Sequence, residues 1–124
     1  MTRPVKTPGP DHPITVQPTA ARVVVKAGGK VIADSTRALT LQESDYPAVQ
    51  YIPLEDVAPE ALRPTDSETY CPYKGEASYY SLVTADGEVT DAVWTYVKPY
   101  DAVSEIAGHV AFYPQHVEMA LENA

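Results

Sequence analysis

A single cysteine, Cys71, stands in a chain of 124 residues, which excludes an internal disulfide framework and fits a reducing, cytoplasmic compartment. Long apolar runs are missing as well. No stretch approaches the roughly 20 residues of a membrane-spanning helix, and Met1-Thr2-Arg3-Pro4 opens without the apolar core of a secretory leader. Basic charge is scarce: nine Lys and Arg stand against seventeen Asp and Glu, a formal net charge of −8. Six of those nine lie in residues 1–37; beyond them only Arg63, Lys74 and Lys98 face fifteen acidic side chains. A chain with no basic stripe has little to offer nucleic acid or an anionic membrane surface, so neither is an expected partner. The phosphate-cradling G-x-x-x-x-G-K-[ST] and G-x-G-x-x-G loops, the H-E-x-x-H helix and the G-x-S-x-G elbow are all absent. One cysteine and three scattered histidines give no structural zinc pattern, so no metal and no cofactor is expected.

What remains is enough for one folded domain. Hydrophobic residues make up 44% of the chain, and its length suits a single core. Five of the twelve prolines fall in residues 1–18, where large apolar side chains are few. Proline removes backbone donors and favours extended chain, so residues 1–19 read as an arm outside the core. The β-rich domain is expected over residues 20–114, with residues 115–124 a short helix or fraying tail.

Strand and turn signals dominate that middle. Arg22–Ala27 and Lys30–Asp34 flank Gly28-Gly29, a two-residue hairpin turn that would set Val25 opposite Ile32. Ala38–Glu43 alternates, placing Leu39, Leu41 and Glu43 on one face. Val49–Ile52 is a short strand stopped by Pro53, and short helical turns are expected near 54–62 and 101–108, the second capped by Asp101. After Pro64 a loop is expected to run through Cys71-Pro72-Tyr73-Lys74-Gly75. The clearest hairpin joins Ala77–Thr84 to Val89–Val97 through Asp86-Gly87; its register sets Tyr79 opposite Trp94 and Leu82 opposite Asp91. Ala77, Tyr96, Ser81 and Ala92 then share the Tyr79–Trp94 face. A last strand follows over Val110–Tyr113. Several short strands separated by turns predict a mainly β fold of two packed antiparallel sheets or a partly open barrel.

Two features carry chemistry. Lys74 is the sole base between Arg63 and Lys98 and lies three residues from Cys71. An ammonium beside a thiol stabilises the thiolate, so Cys71 is a candidate nucleophile; the plainer reading is a cysteine packed as a small hydrophobe. The cross-strand face of Tyr79, Trp94 and Tyr96 follows that loop directly. Aromatic rings with polar tips beside Tyr73 and Lys74 suit a planar or anionic small ligand, or else they simply stabilise a hairpin. Glu43 adds a candidate general base at the end of an apolar face. Three functions are consistent with these residues: a small-ligand-binding domain, a small enzyme using Cys71 or Glu43, and an interaction module that joins a partner or a second copy of the chain.

With these residues placed, the chain resembles a widespread bacterial domain-of-unknown-function family, sometimes labelled nucleotidyltransferase. The resemblance rests on Ala33-Asp34-Ser35-Thr36-Arg37-Ala38-Leu39, on Tyr51-Ile52-Pro53-Leu54-Glu55-Asp56-Val57 and on Cys71-Pro72-Tyr73-Lys74-Gly75-Glu76-Ala77-Ser78-Tyr79. Trp94-Thr95-Tyr96 and Ile106–Tyr113 complete it, in family order. It implies a compact β-rich domain and supplies no catalytic residues. The Gly-Ser and paired D-x-D carboxylates of nucleotidyltransferases do not occur in this chain.

Overall fold

Alternation and turn chemistry produce ten strands in a computed structural model that describes residues 4–122. They are β1 (Ile14–Pro18), β2 (Arg22–Ala27), β3 (Lys30–Ser35), β4 (Leu39–Glu43), β5 (Val49–Pro53), β6 (Leu62–Cys71), β7 (Gly75–Thr84), β8 (Gly87–Thr95), β9 (His109–Phe112) and β10 (Glu118–Glu122). Short 3-10 turns occupy Leu54–Asp56, Pro59–Ala61, Asp101–Ile106 and Pro114–His116. The strands form two antiparallel sheets, one of seven strands in the order β1-β4-β5-β9-β8-β7-β6 and one of three in the order β10-β2-β3. The mainly β expectation holds, and of its two forms it is the packed sheets: neither sheet closes into a barrel. Among the described residues no helix is long and apolar enough to cross a membrane.

The seven-stranded sheet is buried on both faces, and strand alternation sorts its residues between two cores. Ile52, Leu82, Val93, Val110 and Phe112 point toward β2 and β3 and pack with Val23, Val25, Ile32 and Ala33. Their sequence neighbours Tyr51, Trp94 and Ala111 point the other way, where they meet Leu41, Ala77, Tyr96, Val103 and Ile106. The turn over Asp101–Ile106 covers this second core through Val103 and Ile106; Tyr100 takes its N-cap position, and no side chain caps it, Asp101 included.

Four expectations need correction. Ile14–Pro18, read as part of a proline-rich arm over residues 1–19, is an edge strand paired along β4 from Ile14↔Glu43 to Pro18↔Leu39. An edge strand tolerates proline because one side of its ladder is unpaired. The segment 115–124, read as a short helix or tail, carries β10 against β2. Residues 1–3 and 123–124 lie outside the described residues. The loop expected after Pro64 is β6, a ten-residue edge strand whose polar sequence hides its alternation.

The fourth correction concerns register. The Gly28-Gly29 hairpin forms, with positive φ at both glycines, but a bulge puts Val25 opposite Ala33 and not Ile32. The extra residue lets Ile32 and Ala33 both reach the core while Val31 is exposed. In the β7–β8 hairpin, Thr84 pairs with Gly87 and Leu82 with Val89, two residues off the expected register. A bulge at Asp91, whose φ is +56°, then restores the pairing of Tyr79 with Trp94. The bulge also moves Ala92 to the opposite face, into the first core.

Candidate functional site

The seven-stranded sheet curls. Flat strands are spaced about 4.8 Å apart, so four steps from β4 to β7 would span about 19 Å. Yet Glu43 at the end of β4 accepts a hydrogen bond from Lys74 in the turn between β6 and β7. The concave side closes over a half-open pocket of about 180 Å3 lined by Tyr51, Tyr79, Trp94, Tyr96 and Tyr113 on the sheet side, with Glu43 and Lys74 together at one end. Leu41, Val49, Tyr46 and Pro47 complete the wall.

Each charged group is held by local structure. Gly75 closes the Cys71–Gly75 turn with φ +111°, which side chains with a Cβ rarely adopt, and such a Cβ would lie in contact with the Lys98 carbonyl, 3.4 Å away. Tyr100 N–H donates to the Lys74 carbonyl at 3.0 Å and fixes the turn to the cover of the second core. The Lys74 ammonium thus projects inward; its side chain is only 12% exposed and Glu43 is 14% exposed. It also lies 6.0 Å from the centroid of the Tyr96 ring. The second Glu43 oxygen is 2.7 Å from His12 Nε2. His12 in turn stacks on Tyr73, with ring centroids 4.1 Å apart and planes 10° from parallel. Burial pushes the Glu43 carboxyl up, but hydrogen bonds from Lys74 and His12 outweigh it, so the group titrates below the usual carboxylate range.

The aromatic floor is ordered by edge contacts. Trp94 Nε1–H donates to the Tyr51 hydroxyl at 3.1 Å, and their rings meet edge to face. Tyr113 leans on the other side of Trp94, with centroids 4.6 Å apart. Tyr79 shares a hydrogen bond with Thr69 at 2.8 Å. Burial raises the Tyr51 hydroxyl to about 12, against the lowering effect of the Trp94 hydrogen bond, and raises Tyr96 further. Both phenols are therefore protonated donors at neutral pH.

Of the residues singled out by sequence, the fold brings Glu43, Lys74, Tyr79, Trp94 and Tyr96 into this one pocket. Cys71 and Tyr73 are not in its lining. Cys71 is partly buried against the second core, and Tyr73 faces His12 and Lys6. Sequence reasoning missed His12, Tyr51 and Tyr113. Tyr51 and its neighbour Ile52 lie on opposite faces of β5, and nothing local in Val49–Ile52 said which face would be lined with rings. Among the described residues no three His, Cys, Asp or Glu side chains converge as metal ligands.

The fold and this constellation define an antiparallel β domain with an aromatic pocket opening beside a tight turn. The family can be stated from the sequence: residues 15–123 match the family described as Domain of unknown function (DUF427), and the chain belongs to it. No curated protein matches the chain.

Proposed function

We propose that this domain binds a small planar ligand in the pocket beside the Cys71–Gly75 turn. The observation that carries the reading is the concave, ring-lined pocket with an ion pair at one end. A few oriented polar groups on an otherwise apolar wall are the usual makeup of a small-molecule site. Size bounds the occupant: an apolar cavity of about 150 Å3 holds benzene, and this pocket is of about 180 Å3. One ring fits. A nucleoside triphosphate carries several negative charges, and among the described residues the one cation lining the pocket is already paired with Glu43. Binding is favoured over catalysis by Cys71, because the thiol sits with the second core and the Lys74 ammonium goes to Glu43. The single unpaired thiol supports a reducing, cytoplasmic setting for this activity.

Native mass spectrometry of the freshly purified 13.5 kDa chain tests the reading. The expected spectrum contains a retained small molecule that is lost in Trp94→Leu. A bare chain whose melting temperature no single-ring compound raises at millimolar concentration would sink it.

A further inference from the structure

The donors in the pocket say more about its occupant. Tyr96 is 7% exposed, and among the described residues its hydroxyl has no hydrogen-bond partner. A phenol accepts and also donates one hydrogen. The Tyr51 hydroxyl accepts from Trp94 Nε1–H, which leaves its own hydrogen to give, and among the described residues nothing takes it. Lys74 has three N–H donors and commits one to Glu43. The pocket is thus rich in unspent donors. The Tyr96 hydroxyl still meets solvent, since Ser44 Oγ is the buried unpartnered side-chain atom among the described residues. An occupant that covers these donors displaces that water, so one that supplies an acceptor is selected over one that does not. The charge of that acceptor is also constrained. Lys74 and Glu43 sum to zero, and the Glu43 carboxylate stands at the same end of the pocket as the ammonium. An anionic ligand would meet that like charge with little water to screen it.

We infer that the occupant is an uncharged single-ring compound bearing a carbonyl oxygen, whose two lone pairs accept from the Tyr96 hydroxyl and from one further donor of the pocket, the Tyr51 hydroxyl or Lys74. This rests on the ligand-binding reading above and narrows it from planar or anionic to neutral and carbonyl-bearing. No bond is made or broken; the two carbonyl lone pairs take two of the hydrogens that the protein leaves unspent.

Three probes of equal ring size separate the alternatives: benzamide, benzoate and toluene, titrated at pH 7 against the fluorescence of Trp94, the sole tryptophan, with melting curves in parallel. Benzamide is expected to bind at least tenfold more tightly than either of the others. Tyr96→Phe keeps the ring and removes the unpartnered hydroxyl. It is expected to melt within a few degrees of the parent, to weaken benzamide about tenfold and to leave toluene unchanged. Benzoate binding as tightly as benzamide would overturn the neutral carbonyl and leave the pocket standing. Toluene equal to benzamide, with Tyr96→Phe affecting neither, would leave an apolar pocket without carbonyl recognition. If all three fail to quench or to shift melting at millimolar concentration, the binding reading itself fails.

Discussion

Glu43 is the residue on which most of the site depends. It ends an apolar strand face, a place where a carboxylate would ordinarily reach solvent, yet it is held by Lys74 on one oxygen and His12 on the other. Its folded-state titration lies below the unfolded value of about 4.3, so it stabilises the fold above that pH and loses the contribution as pH falls through its lower folded value. Acid unfolding followed between pH 5 and 2 is expected to be shallower in Glu43→Gln than in the parent. An unchanged slope would mean that the carboxylate is not held as described. Lys74 behaves as its partner and not as a solvent-facing cation. Lys74→Met leaves a mostly buried carboxylate with His12 alone and is expected to cost about 2 kcal/mol. The double variant Lys74→Met, Glu43→Gln should recover at least half of that in denaturant unfolding, because the orphaned charge is gone.

At the scale of elements, the first strand and the segment before it have separate roles. Lys6 N–H donates to the Pro72 carbonyl at 2.9 Å, Tyr70 donates to the Pro4 carbonyl at 2.6 Å, and His12 reaches Glu43. These contacts strap residues 4–12 across the turn that carries Lys74. β1 itself contributes Ile14 and Val16 to the second core and a full ladder to β4. A chain beginning at Ile14 is therefore expected to melt within about 5 °C of the parent. One beginning at Ala20, which also loses β1, should fall by at least about 3 kcal/mol, or roughly 10 °C or more. Equal melting of the two truncations would show that β1 is dispensable. Two peptides singled out by the family resemblance also find their partners at this scale. Ser35 Oγ–H donates to Asp56 at 2.6 Å, and Arg37 bonds the other oxygen of Asp56 at 2.9 Å. The Asp34–Arg37 corner thus latches onto the Leu54–Asp56 turn.

Across the whole molecule, charge argues against nucleic acid more strongly than any one residue does. The formal net charge is −8, and several of its few cations are already committed: Arg22 to Asp34, Arg37 to Glu55 and Asp56, Arg63 to Glu88, Lys74 to Glu43. Retardation and anisotropy assays at physiological salt are expected to show no micromolar affinity for single- or double-stranded DNA. Saturable binding in that range would reverse the reading.

Local pattern was sufficient for what depends on local geometry. Gly28-Gly29 marked a hairpin, and the alternation of Ala38–Glu43 put Leu41 and Glu43 on one face. Register was less legible, because a bulge costs one or two residues that no turn signal announces; Tyr79 meets Trp94 only because the turn and the bulge at Asp91 offset each other. Edge strands were the least legible elements, since β1 and β6 carry proline and polar residues that a half-paired ladder tolerates. The ion pair lay beyond the sequence altogether. His12 and Lys74 each stand 31 residues from Glu43 and on strands or turns that are not all sheet neighbours. Only the curl of the seven-stranded sheet, a sum of small twists set by the packing of both cores, brings Lys74 to Glu43 in one pocket, while His12 reaches the same carboxylate from beside β1, the strand next to β4.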